Sequence, residues 1–181
     1  MEVIYQWWKH DHKYETILLK SYDYQQYWSN HFECQEPHEQ EAKLLIDFIK
    51  QFHFHSVLEL GSGQGHLSKK LKENFDIYLT GLDLISDNEC LDSFIKIDVC
   101  KFTPAKIYDL IVTRNFLMHI KPHDIDRVLS NLIGKSKHFV AVEYVPITPK
   151  PLSPHNFAHN YEGLGQTRIN NERVILSAWH Y

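Results

Sequence analysis

Val57-Leu58-Glu59-Leu60-Gly61-Ser62-Gly63-Gln64-Gly65 joins an apolar run to a loop rich in glycine. The run, with Ser56 ahead of it, is short and strand-like and stops at the first glycine. Glycines at alternate positions let the backbone turn tightly and approach a ligand, whose polar groups meet the free N–H groups at the start of the next helix. That helix is expected over Gln64 to Asn74, with Leu67 and Leu71 one turn apart and Ser68, Lys69, Lys70 and Lys72 on the outer faces. The dinucleotide fingerprint G-x-G-x-x-G requires a glycine where this chain has His66, so the pattern tells against a nicotinamide enzyme.

The alternation of strand and helix continues outward. Upstream, Pro37 is placed to open a helix whose apolar stripe is Leu45, Phe48, Ile49 and Phe52. Downstream, strands are expected over Ile77 to Leu82, Phe94 to Ile97, Asp109 to Thr113 and Phe139 to Val145. Pro122 is expected to open a helix with Ile125, Val128, Leu129, Leu132 and Ile133 on one face, stopped by Gly134. After the prolines at 146, 149, 151 and 154, Gly165 to Asn170 and Arg173 to Tyr181 form a closing antiparallel hairpin. This order predicts a mostly parallel α/β sheet covered on both faces, with ligands bound beyond the carboxyl ends of its strands.

Carboxylates stand at those ends. Asp83 closes the second strand, about 20 residues after the glycine turn, where an acid can accept hydrogen bonds from both hydroxyls of a ribose. Asp98 closes the third, where it can receive an adenine amino group while the Val99 N–H serves a ring nitrogen. Each acid alone reads equally well as a cap or a turn former; together they form a constellation.

The chain resembles the class I S-adenosylmethionine-dependent methyltransferases. Val57 to Gly65 resembles that family's first motif, Gly81-Leu82-Asp83-Leu84 the second, and Ile97-Asp98-Val99 the third. Asp109-Leu110-Ile111-Val112-Thr113-Arg114-Asn115-Phe116-Leu117-Met118-His119-Ile120 resembles the block around the fourth strand. The resemblance implies a Rossmann-like, doubly wound, mostly parallel seven-stranded sheet with an antiparallel closing strand. It also implies a cofactor, S-adenosyl-L-methionine, with the glycine loop on the methionine part, Asp83 on the ribose and Asp98-Val99 on the adenine. The expected cofactor set is Glu59, Gly61, Ser62, Gly63, Gly65, Asp83, Leu84, Asp98, Val99, Arg114 and Asn115. The chain departs from the family where only Ile85 to Asp92 separates the second and third strands, and where the helix before the hairpin shrinks to something within His155 to Leu164.

Composition narrows the partners. The 181 residues suit one domain, 1–181, whose aromatic N-terminal segment 1–36, with Tyr22, Tyr24, Tyr27, Trp28 and Phe32, is a candidate lid over the cofactor or a packing layer on the sheet. A formal net charge of −4 argues against gripping nucleic acid by bulk charge. Asn115 lacks the Pro-Pro-aromatic run of enzymes that methylate nucleic-acid amino groups, and Cys100 lacks the Pro-Cys setting of cytosine methyltransferases. No DNA partner is expected; RNA and protein stay open. Three widely spaced cysteines and no long apolar run fit a cytoplasmic chain without a membrane partner.

The expected function is methyl transfer to a small molecule at oxygen, with nitrogen or carbon open. The alternatives are a methyltransferase acting on tRNA or protein, and a non-catalytic S-adenosylmethionine-binding partner subunit. An oxygen nucleophile needs its proton removed, and a neutral His is suited to that. His119 is the first candidate, although histidine there also serves structural roles in the family. His155, His159 and Tyr161 form a second set. His155 and His159 stand four apart, a spacing that can share a metal on a helix, but Asn156-Phe157-Ala158 supplies no acidic partner. His119 and His123 share the spacing with Pro122 between them, so no metal site is expected.

Overall fold

The computed structural model describes residues 39–85, 87–144, 156, 157 and 159, with the backbone of residues 166–168 and 173–179. The elements are α1 (Glu39–Ile49), β1 (Ser56–Leu60), α2 (His66–Asn74), β2 (Tyr78–Asp83), β3 (Ser93–Lys96), β4 (Tyr108–Arg114), α3 (Ile125–Ile133), β5 (Ser136–Tyr144), β6 (Gln166–Arg168) and β7 (Arg173–Trp179). Single 3-10 turns cover Val99–Lys101 and Leu117–His119.

The expected α/β sheet is present. Strands β3, β2, β1, β4 and β5 lie side by side in that order, all parallel. Beyond β5 the order continues with β7 and then β6, β7 running antiparallel to both neighbours. Parallel neighbours force a crossover after each strand, and the helices of those crossovers cover both faces.

Alternation within the strands divides the core. Leu58 and Leu60 of β1, Ile111 of β4, and Phe139 and Ala141 of β5 pack with Val128, Leu129 and Leu132 of α3. Their neighbours Val57, Leu110, Val112, Val140 and Val142 pack on the other face with Leu45, Ile46 and Ile49 of α1 and Leu67 and Leu71 of α2. A period of two thus supplies two apolar layers, each fully buried Leu or Ile contributing about 1.5–3 kcal/mol.

Two helix starts differ from the sequence expectation. The helix expected from Gln64 begins at His66, because Gly65 is its left-handed N-terminal cap at φ +86°. The helix expected from Pro122 begins at Ile125; the Asp124 N–H donates to the Lys121 carbonyl at 2.9 Å, so the proline opens a turn that precedes the helix. Between β2 and β3 the described residues form no helix, only turns. The segment 1–36, with its candidate lid, and most of the stretch His155 to Leu164 lie outside the described residues.

Candidate active site at the carboxyl edge of the sheet

The glycine turn leaves β1 through three left-handed residues, Gly61 at φ +67°, Gly63 at +47° and Gly65 at +86°. Only glycine takes that series without strain. The Gly61 N–H donates to the Leu82 carbonyl at 2.8 Å and the Gly65 N–H to the Ser62 carbonyl at 2.9 Å, which ties the turn to β2 and to itself. A methyl group on Gly61 would run into the Phe116 ring, and one on Gly65 into the Asn88 amide. At Gly63 the nearest atom would be the Gly61 carbonyl oxygen at 3.9 Å, so this glycine has an open outer face.

Asp83 links the turn to the next strand end. Its Oδ2 accepts the Gly63 N–H at 3.0 Å and its Oδ1 accepts the Ile85 N–H at 2.8 Å. Each oxygen keeps acceptor capacity after one bond. The Asp83 carbonyl accepts the Ile97 N–H at 3.1 Å, which places Asp98 next along the same edge. Asp98 Oδ1 accepts the Cys100 N–H at 2.9 Å and caps the 3-10 turn, and Val99 is buried at the start of that turn. From α3, Arg127 Nη1 donates to the Cys100 carbonyl at 2.8 Å and Asn131 Nδ2 to the Phe102 carbonyl at 2.8 Å, clasping the loop from one turn apart. Leu84 follows Asp83, half-buried.

Behind the turn lies a buried acid. Ser68 Oγ donates to Glu59 Oε2 at 2.6 Å, and both residues are buried. Burial pushes the Glu59 carboxyl up to about 8, outweighing the Ser68 hydrogen bond and the Arg114 charge. Asn88 Nδ2 lies 3.4 Å from Ser68 Oγ and 3.5 Å from the Gly63 carbonyl, covering the turn from the β2–β3 side.

The end of β4 carries a second polar group of residues. Thr113 Oγ1 donates to the Leu60 carbonyl at 3.2 Å, so β4 ends beside the start of the glycine turn. Asn115 follows at φ +51°, the only described non-glycine residue with positive φ. Its Nδ2 donates to Glu41 Oε2 on α1 at 2.8 Å, and Arg114 Nη1 approaches the same oxygen at 3.8 Å. Glu143, wholly buried near the end of β5, accepts the Phe116 and Leu117 N–H groups on Oε1 at 3.2 and 3.1 Å. Burial pushes its carboxyl up to about 7 against those bonds, and the charge of Glu41 adds to the rise.

Of the proton-transfer candidates, His119 ends the 3-10 turn, half-buried. His159 is buried, with Nε2 3.1 Å from the Leu117 carbonyl oxygen, and its neighbour Phe157 donates its N–H to the Met118 carbonyl at 2.7 Å. Burial lowers His159 to about 4 against the pull of the Ile120 and Leu117 carbonyls, so its ring is neutral near pH 7. The structure therefore brings His119 and His159 to one turn and gives His159 the setting of a packing residue. His155 and Tyr161 lie outside the described residues. Cys100 is pushed up to about 12 by burial and the Asp98 charge, which keeps the thiol protonated. Among the described residues no group of His, Cys, Asp or Glu gathers as metal ligands, and no helix is long and apolar enough to cross a membrane.

Sequence reasoning missed Glu41, Asn88 and Glu143. Glu143 had a signal, a lone carboxylate inside the apolar run from Phe139 to Val145. Glu41 and Asn88 had none, because their partners are 74 and 25 residues away along the chain.

A glycine turn followed by carboxylates at successive strand ends of a parallel sheet defines a Rossmann-like α/β fold of the class I methyltransferase type. The chain belongs to the methyltransferase domain family, whose model matches residues 31–162. No curated protein matches it in sequence. Among solved structures it is similar to the N-methyltransferase NodS from Bradyrhizobium japonicum in complex with S-adenosyl-L-homocysteine, at 16% identity and a TM-score of 0.65 over 84% of this chain and 96% of that one. It is also similar to magnesium protoporphyrin IX methyltransferase (ChlM) from Synechocystis with bound S-adenosylmethionine, at 14% identity and a TM-score of 0.61 over 92% and 97% of the two chains. A third is the 1,6-didemethyltoxoflavin-N1-methyltransferase from Burkholderia thailandensis, at 12% identity and a TM-score of 0.55 over 77% and 76%. At these identities the likeness is one of fold.

Proposed function

We propose that the protein binds S-adenosylmethionine along the carboxyl edge of its sheet and transfers the methyl group to a small molecule. The observation that carries this reading is the Gly63–Asp83–Ile97 connection. One aspartate is hydrogen-bonded to the glycine turn on one side and to the residue before Asp98 on the other. The residues present fit an adenosyl sulfonium. Gly63 has an open face for the methionine part, Asp83 keeps acceptor capacity on both oxygens for two ribose hydroxyls, and Asp98 with the Val99 N–H suits an adenine edge. Glu59, Gly61, Ser62, Gly65, Leu84, Arg114 and Asn115 complete the assignment. NodS and ChlM, of similar fold, are described with the spent or intact cofactor.

Bound there, S-adenosylmethionine supplies a methyl group already activated on sulfur, so the protein's contribution is alignment and exclusion of water. Phe116 on Gly61 and Asn88 on Gly65 hold the turn in its left-handed form. An oxygen acceptor needs a base, and His119 is the candidate; His159, neutral and engaged with the Leu117 carbonyl, positions the turn that carries it. A neutral amine needs no base for attack.

The test is transfer of labelled methyl from S-adenosylmethionine into a cell extract that is then separated by size. Label in the small-molecule fraction is expected. Label only in RNA or protein replaces the small-molecule reading, and binding of the cofactor with no labelled product leaves a partner subunit.

A further inference from the structure

The short connection between β2 and β3 ends in a strap that is fastened to the sheet and to α2. Asp92 holds its far end: the Asp92 N–H donates to the Leu79 carbonyl at 2.9 Å, and Oδ2 accepts the Leu79 N–H and Lys72 Nζ, each at 2.7 Å. Leu91 packs on Gly81 of β2, where an added methyl group would run into its side chain. The Leu91 N–H donates to the Asn88 carbonyl at 3.3 Å, so Asn88 is carried on an anchored turn, half-buried.

The Asn88 amide is oriented by its own strap. The Cys90 N–H donates to Oδ1 at 3.1 Å, which decides which end of the amide is the oxygen. Nδ2 then faces the glycine turn, 3.5 Å from the Gly63 carbonyl oxygen and 3.4 Å from Ser68 Oγ, with one N–H for each. Ser68 spends its own proton on Glu59 at 2.6 Å and is left to accept. The same amide lies on Gly65, where an added methyl group would meet Oδ1 and Cγ. At 3.4–3.5 Å these are long hydrogen bonds, so their worth lies in aiming a pliant peptide and not in strength.

Gly63, at φ +47°, is thereby gripped on both sides. Asp83 Oδ2 takes its N–H at 3.0 Å, which fixes the peptide before it, and Asn88 Nδ2 takes its carbonyl, which fixes the peptide after it. A glycine without such partners lets either adjoining peptide rotate. We propose that Asn88 is a positioning residue for the cofactor, acting through the Gly63 carbonyl to set the glycine turn before S-adenosylmethionine arrives. The proposal rests on the methyltransferase reading above. Without the Asn88 donor, the cost of ordering the Gly63 backbone moves from folding to binding, and one residue's backbone freedom is worth about tenfold in affinity.

The experiment compares the full wild-type chain with Asn88→Asp and Asn88→Ala. Asn88→Asp keeps the size, the acceptor for the Cys90 N–H and the contact with Gly65, and puts an oxygen where the donor faced the Gly63 carbonyl. Asn88→Ala removes the amide altogether. Affinity for S-adenosylhomocysteine, by calorimetry well below the melting temperature of each chain, is expected to fall about tenfold in both variants. Exchange of single amides, followed by NMR without any cofactor, is expected to quicken about tenfold at Gly63 and to hold at Leu71 within α2. Unchanged affinity in the variants, or an unchanged Gly63 amide, overturns the proposal. So does exchange that quickens equally at Leu71, because Asn88 then merely supports α2. Failure of the wild-type chain to bind S-adenosylhomocysteine sinks the methyltransferase reading instead, and the Gly63 amide, measured without cofactor, reports the clamp separately.

Discussion

The Gly63 amide and the Asp83 carboxylate lie 3.0 Å apart, joined by a hydrogen bond across 20 residues of chain. This bond makes the glycine turn and the second strand end parts of one surface. Asp83 also accepts the Ile85 N–H and, through its carbonyl, the Ile97 N–H, so three successive strand ends are registered by a single residue.

The three glycines of the turn should separate by experiment. Alanine at Gly61 or Gly65 meets Phe116 or Asn88 as well as the cost of positive φ, so both variants should lose stability, by about 1–3 kcal/mol in chemical denaturation. Alanine at Gly63 has space in the chain itself and should pay only the backbone strain, about 1–2 kcal/mol. Its added methyl projects from the open face, so Gly63→Ala should fold and yet lose cofactor affinity.

Two buried groups should bend stability with pH in opposite senses. The folded chain raises Glu59 from its ordinary 4.5 to about 8, so its stabilising contribution is full below pH 4.5 and is lost as pH rises towards 8. Glu59→Gln removes that loss, and its melting temperature relative to wild type should climb between those values. The slope is at most about 1.4 kcal/mol per pH unit. His159 is lowered from 6.5 to about 4, so its contribution is present above 6.5 and lost as pH falls towards 4. His159→Gln should therefore lose ground against wild type near neutrality and regain it in acid.

Cys100 should prove dispensable for chemistry. Its thiol stays protonated to about pH 12, so alkylation by iodoacetamide at pH 8 should be slow and Cys100→Ser should retain methyl transfer. Loss of transfer with the cofactor still bound would reinstate a covalent role.

Much of the fold was legible because it rests on local periodicity. The run from Ser56 to Leu60 matches β1 residue for residue, and the stripe from Ile125 to Ile133 is α3. The boundaries that moved did so for tertiary or capping reasons: Gly65 in a left-handed cap, and Pro122 in a turn bonded to Lys121. Asp83 and Asp98 could be placed because strand ends in a parallel sheet share an edge. The partners of those residues could not. Asn88 covers the turn from a segment with no regular pattern, and Glu41 reaches Asn115 from a helix that reads simply as amphipathic. Sequence offers His159 as a candidate for chemistry because it shows a residue type and not its burial; the structure adds that the ring is buried with Nε2 3.1 Å from the Leu117 carbonyl oxygen.

The central claim is that the glycine turn and the two aspartates form one cradle for an adenosyl sulfonium. Its most direct test is thermal melting of wild type and Asp83→Ala with S-adenosylmethionine, S-adenosylhomocysteine or NADH. Ligand at 100 times its dissociation constant stabilises by about 2.7 kcal/mol, a shift of several degrees for a domain of this size. The account predicts that shift for wild type with either adenosyl ligand, none with NADH, and most of it gone in Asp83→Ala. Stabilisation by NADH and not by the sulfonium, or an undiminished shift in Asp83→Ala, would contradict it.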